Sequence, residues 1–201
     1  MKDSKNLSDK CNLCKSHGDL SSVVVSRGNP HSKLMIIGEA PGAMENKLGE
    51  PFVGRSGKLL DNLLNESGIN SYDEVYLCNV IKCRPPNNRR PTKLEIQVNM
   101  PWLNQQILLL DPYIILLLGA TALDSVLGVK ESISTLRGTW QNWGRRLVMP
   151  LFHPSYLLRN PSRDANSPLS LTLLDLTRVR RKLFSLKVLS EKASSKKIIS
   201  R

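Results

Sequence analysis

The sequence predicts a three-layer α/β/α sandwich built on a central, mostly parallel sheet. Two observations carry the prediction. Short apolar runs of strand length alternate with longer segments of helical periodicity, the pattern of βαβ units whose helices cover both faces of a sheet. Tyr113 to Leu118 is apolar at nearly every position, as suits a strand buried on both faces; a half-solvated strand would alternate.

Lys33 to Ile37 is the first apolar run and leads into the turn-rich GEAPG, so it reads as a buried strand delivering a loop to one sheet edge. Leu59 to Leu64 has helical spacing that ends near Gly68, and Val75 to Ile81 reads as the next strand. RPPNNRRP then interrupts regular structure before an amphipathic helix over Leu94 to Leu110. Tyr113 to Leu118 is followed by GATAL, a turn into another helix, and Arg145 to Leu151 is a further strand ending at His153. From about Leu169 the chain reads as a basic helix. The expected organisation is one domain over residues 1–187, with 188–201 a basic, disordered tail rich in Lys and Ser.

In such a sheet, ligands bind beyond the carboxyl ends of the strands. GEAPG, Asn79, GATAL and His153 all fall at those ends. The formal charge is +12, from 29 Lys and Arg against 17 Asp and Glu; it favours a polyanionic partner, nucleic acid first, without specifying any chemistry. No apolar run reaches the length of about 18 residues that a membrane span needs. The opening MKDSKNLSDK is charged where a signal peptide would be apolar, so a cytoplasmic location is expected. Cysteines in a reducing compartment seldom pair, which makes CNLC, at Cys11 and Cys14, a metal-ligand or redox candidate.

Three segments taken together resemble the iron–sulfur branch, family 4, of the uracil-DNA glycosylase superfamily: GEAPGAMENKLGEPFVGRSGKLLD from Gly38, NVIKCRPPNNRRP from Asn79, and HPSYLLR from His153. The resemblance implies hydrolysis of the bond between uracil and deoxyribose in DNA, leaving an abasic site for base excision repair. Such an enzyme flips the base out of the stack and binds it in a fitted pocket.

The resemblance nominates Phe52 to stack on the flipped ring. It nominates Asn79 to read uracil, the side-chain oxygen accepting from N3–H and the nitrogen donating to O4, an arrangement that cytosine mismatches. His153 would donate to O2 as negative charge gathers there, which a neutral imidazole can do. Glu39 would line the pocket and help hold the attacking water, and the backbone of Ala40 would approach base or water. In the best-known branch of the superfamily an aspartate stands where this chain has Ala40, so that base is missing here. Glu45 would lie near the C5 edge of uracil and obstruct the methyl group of thymine. Asn88 is a further pocket candidate, with a plain turn residue as the alternative.

For DNA, Leu157 and Leu158 beside Arg159 suit a wedge at a base step with a phosphate grip, or an amphipathic turn packed on the core. Arg84, Arg89 and Arg90 are candidates for phosphate contacts or for solvated charge. Lys47 and Lys82 read as ordinary solvated lysines, so no Schiff-base nucleophile is expected and the enzyme should be monofunctional.

The family's [4Fe–4S] cluster is held by four cysteines. Cys11, Cys14 and Cys83 match three of them, and Asn99 stands at the fourth position. A cluster held by three thiolates or with an exchangeable site is therefore expected, bracing the fold and taking no part in catalysis, with zinc or no metal as the alternatives. Cys78, adjacent to Asn79 on its strand, should face the opposite side as a structural thiol. Two other readings remain open: a non-catalytic module that binds damaged DNA, and a glycosylase of altered base preference. A monomer is the default.

Overall fold

The computed structural model describes residues 23–199. Six strands form one sheet in the order β1-β3-β2-β4-β6-β5. They are β1 (Arg27–Gly28), β2 (Leu34–Gly38), β3 (Tyr76–Asn79), β4 (Ile114–Leu118), β5 (Gln141–Trp143) and β6 (Arg146–Leu151). The four inner strands are parallel, and the short outer strands β1 and β5 run antiparallel to their neighbours. The expected α/β architecture is present. The outer strands were not foreseen, since two or three residues carry too little periodicity to register.

Among the described residues there are seven α-helices, five between strands and two after the last: α1 (Ala43–Leu48), α2 (Arg55–Glu66), α3 (Lys93–Leu110), α4 (Ala120–Leu127), α5 (Ile133–Leu136), α6 (Pro154–Arg159) and α7 (Pro168–Ile199). Alternation along β2 sends Leu34 and Ile36 to one face and Met35 and Ile37 to the other, all fully buried. The first face packs against Leu60, Leu63 and Leu64 of α2, Leu157 of α6 and Leu176 and Val179 of α7. The second packs against Leu103 and Ile107 of α3 and Ala122 and Leu123 of α4. These five helices thereby each bury an apolar face that would be unstable in water on its own. The start of α3 is set by a capping box, in which Thr92 Oγ1 accepts from the Glu95 amide and Glu95 returns the contact to the Thr92 amide.

The terminal helix runs past residue 187, where the domain was expected to end, through to Ile199. SEKASSKK contains no proline or glycine to stop a helix. Among the described residues, no helix is long and apolar enough to cross a membrane.

β2 and β4 lie side by side at the centre, and the chain leaves β2 toward one flank and β4 toward the other. The crevice between their carboxyl ends is the topological switch point at which such sheets bind ligands.

Candidate active site

A pocket of about 320 Å³ opens at that switch point. Its lining includes Glu39, Ala40, Glu45, Phe52, Asn79, Asn88 and His153, so the sequence candidates from three distant segments converge on one cavity. The sheet accounts for much of this. Gly38 at the end of β2 pairs in register with Asn79 at the end of β3, and β6 delivers His153 two residues beyond Leu151.

Phe52 and Asn79 form one fitted surface. Both are buried, and a Cβ on Gly38 would lie 2.5 Å from Asn79 Oδ1 and 2.5 Å from Phe52 Cζ. Only glycine leaves room for ring and amide to meet over that strand end. Phe52 also has φ +59°, a left-handed backbone that aromatic residues seldom adopt.

His153 caps the amino end of α6. Its Nδ1 accepts from the Ser155 amide at 3.2 Å and lies 2.8 Å from Ser155 Oγ. A backbone N–H can only donate, so the neutral ring carries its proton on Nε2. Burial pushes the imidazole below its ordinary pKa, outweighing the opposite pull of Glu39. Gly119, at φ +87°, lets the turn after β4 pass close by, since a Cβ there would lie 3.1 Å from His153 Cβ. The site thus holds a neutral histidine with a donor on Nε2.

Glu39 follows β2, and its Oε2 accepts from Thr121 Oγ1 at the start of α4. This hydrogen bond spans the switch-point crevice. Thr121 Oγ1 in turn accepts from Arg90 Nε at 3.1 Å. The motif pattern did not single out Thr121, because nothing local shows that GATAL will lie against GEAPG.

Glu45 serves the loop. Its Oε2 accepts from the Gly42 amide at 3.1 Å and its Oε1 from the Gly54 amide at 2.8 Å. Both donors are the amides that open α1 and α2, so one carboxylate ties together the two ends of the segment that carries Phe52.

A family model for the Uracil DNA glycosylase superfamily matches residues 25–177. The chain is similar to the type-4 uracil-DNA glycosylase of Thermotoga maritima, with 50% identity over 157 residues covering 77% of this chain and 81% of the relative. The chain belongs to the type-4 family of the uracil-DNA glycosylase superfamily. It is also similar to the type-4 uracil-DNA glycosylases of Saccharolobus solfataricus, 42% identical over 76% of this chain and 74% of the relative, and of Sulfurisphaera tokodaii, 39% identical over 76% and 73%.

Several residues of this type-4 family member are placed differently from the sequence expectation. Lys82 is not solvated. It is 1% exposed, and its Nζ donates to the Asn79 carbonyl and to Gln106 Oε1, each at 2.6 Å. Burial pushes its pKa down and that of the neighbouring Cys78 thiol up. Cys78 faces away from the pocket as expected, packing with the α3 layer while Phe52 packs with the opposite one. Leu157 is 1% exposed and belongs to the core, so it is not available to wedge a base step; α6 turns it inward and leaves Leu158 partly exposed and Arg159 exposed. Arg89 forms a two-pronged pair with Glu95, and Arg84 Nε donates to Asn88 Oδ1 at 2.8 Å. The basic loop is therefore built partly by its own arginines.

Of the expected cluster ligands, Cys11 and Cys14 lie outside the described residues. Cys83 is half-buried in the turn after β3. Asn99 is buried on α3, where its Oδ1 accepts from the Lys82 amide at 3.0 Å and its Nδ2 donates to the Glu95 carbonyl at 2.8 Å. With its carboxamide engaged at both ends, Asn99 suits a brace for the Lys82–Cys83 turn and does not suit a metal ligand. Among the described residues, no three His, Cys, Asp or Glu side chains are grouped so as to hold a metal.

Proposed function

We propose that this chain is a monofunctional uracil-DNA glycosylase of the type-4 family, hydrolysing the N-glycosidic bond of uracil in DNA to leave an abasic site. The convergence of Phe52, Asn79, Glu39 and His153 in one pocket at the carboxyl ends of the parallel strands carries this reading. The flipped ring lies against Phe52, and the Asn79 amide meets N3–H and O4. His153 Nε2–H donates to O2, stabilising charge as the bond to the sugar lengthens. A neutral donor suits this step, because the pocket desolvates a cation and the Ser155 amide occupies Nδ1.

Glu39 Oε2 is held by Thr121, which leaves its other oxygen for the attacking water and the developing positive charge at C1′. The backbone of Ala40 lines the same cavity. Glu45 acts on the C5 edge of uracil as the brace of a rigid wall, and a wall so fixed obstructs a methyl group without a direct charge contact. Uracil-containing DNA is the substrate. On the DNA side, Leu158 wedges at the base step and Arg159 grips a phosphate, while Leu157 stays in the core.

An iron–sulfur cluster would be held by Cys11, Cys14 and Cys83, with no fourth protein thiolate from Asn99. When bound, the cluster supplies structural bracing and no chemistry at the base. Iron and sulfide content, with the electron paramagnetic resonance of the oxidised protein, tests this assignment. A signal from a three-iron cluster supports it, and protein free of iron after anaerobic purification overturns it.

The deciding experiment for activity is cleavage of a labelled oligonucleotide carrying one uracil, single- or double-stranded, followed by alkali. Wild type should cut, and His153→Gln should lose about 100- to 1,000-fold in rate, the scale for loss of one such donor. Folded wild type that binds but does not cut would indicate a damage-binding module. Cutting only at another lesion would indicate altered base preference.

A further inference from the structure

The Arg27 guanidinium grips the turn that carries Phe52. Arg27 lies in β1, paired with Leu77 of β3 two residues before Asn79. Its Nε donates to the Pro51 carbonyl at 2.8 Å, and its Nη2 donates to the Phe52 carbonyl at 3.3 Å and to Asp61 Oδ1 of α2 at 2.7 Å. The arginine side chain is only 7% exposed. The Tyr72 ring centroid lies 5.6 Å from its Cζ, covering another side of the charge. A charge this far from water persists when it is paired; Nε and Nη2 are used, while Nη1 is buried without a hydrogen-bond partner among the described residues. Here the partners are Asp61 and two successive carbonyls of the turn that carries the stacking ring.

That turn needs outside support. The backbone of Phe52 at φ +59° sits in a region that costs free energy for a bulky residue, so neighbouring structure must hold it there. Support comes from two sides. The amino end of α2 closes against the Phe52 carbonyl so tightly that a Cβ on Gly57 would lie 1.8 Å from it, and Arg27 grips the carbonyls of Pro51 and Phe52 from β1. Because β1 is hydrogen-bonded to β3, the grip relates the Phe52 ring to the strand that carries Asn79.

We propose that Arg27 is a positioning residue for uracil recognition, holding the stacking face of Phe52 in register with the Asn79 amide. The proposal rests on the reading above, in which Phe52 stacks on the flipped base. Asp61 completes the device by compensating the buried charge and anchoring it to α2. Loss of the guanidinium releases two carbonyls and lets the turn relax from its left-handed geometry, so the ring no longer lies flat on a base that Asn79 holds.

The test is a double-mutant cycle of Arg27→Gln and Phe52→Ala, with Arg27→Lys and Asp61→Asn as companions. The readouts are kcat and KM on a single-uracil oligonucleotide, inhibition by free uracil, and thermal unfolding. In the Phe52 background, Arg27→Gln should lower kcat/KM by up to about 100-fold, as a misplacement on the order of 1 Å does, and should weaken inhibition by free uracil. In the Phe52→Ala background the same substitution should change kcat/KM less than about threefold, because two residues acting through one contact are not additive. Arg27→Lys, which can still donate to one carbonyl, should recover part of the loss.

A fall in melting temperature with KM and uracil inhibition unchanged, or equal effects in both backgrounds, would overturn the proposal. If Arg27→Gln does not fold, Asp61→Asn, which keeps shape and removes the compensating charge, carries the same cycle and is judged by the same criteria. Wild type that excises no uracil would overturn the reading of the pocket itself. Active wild type with an indifferent Arg27→Gln overturns only the role of Arg27.

Discussion

His153 shows how much chemistry a single placement sets. The Ser155 amide fixes the tautomer, and burial lowers the pKa from an ordinary value of 6.5. The acid limb of the rate profile should therefore lie below pH 6.5, because the neutral imidazole persists further into acid than in water. Single-turnover excision across pH checks this, and in His153→Gln that limb should vanish. The folded state also resists protonation here, so the contribution of His153 to stability is present above pH 6.5 and declines as pH falls toward the lowered value. Phe52, Asn79 and His153 were legible as candidates because their tripeptides are unusual and stand at strand ends. Thr121 and Arg27 were not, since a common residue becomes informative only when a distant segment arrives beside it. Lys82 was misread for a related reason: local sequence carries no sign that Gln106 and the Asn79 carbonyl will enclose its amine.

At the scale of elements, α6 separates core from surface within two residues. Leu157→Ala should cost about 2–5 kcal/mol of stability, as cavity-forming core substitutions do, whereas Leu158→Ala should cost far less and weaken DNA binding instead. Chemical denaturation beside fluorescence anisotropy on a uracil-containing duplex separates the two effects. The start of α3 is governed by Glu95, whose carboxyl is lowered to about 2, first by its hydrogen bonds with Arg89 and then by the Thr92 cap. Its folded pKa lies below the ordinary 4.5, so the stability it confers is complete above that value and is lost as pH falls toward about 2. Glu95→Gln should flatten this part of the acid stability profile, measured by unfolding between those limits. The helices and inner strands were readable because their apolar periodicity is long. The brief α1, α5, β1 and β5 were not, because their geometry is imposed by caps and by pairing with neighbours.

Across the whole molecule, the terminal helix is tied to the sheet by a charge pair as well as by its apolar face. Asp175 of α7 is fully buried, and the guanidinium of Arg137, just after α5, meets it. Burial raises the Asp175 pKa in spite of that partner, so desolvation dominates. Arg137→Gln should cost up to about 3–5 kcal/mol by leaving the buried carboxylate only the longer contact to Arg178, at 3.6 Å, which equilibrium unfolding would register. Uracil affinity measured well below the transition should stay unchanged, because the pair lies away from the pocket lining.

The sequence by itself determined the layered α/β architecture, the family and the candidate residues that line the pocket, because periodicity and strand-end motifs are local properties that survive without coordinates. Only the tertiary structure decided how those residues are supported. Glu45 became a brace between two helix starts, Asn99 a carboxamide pinning the Lys82 turn, Leu157 a core side chain, and Arg27 a clamp on Phe52. The physical reason is that a hydrogen bond or a buried contact depends on which distant backbone groups are left without partners when the layers close. That condition belongs to the folded chain as a whole and to no segment of it.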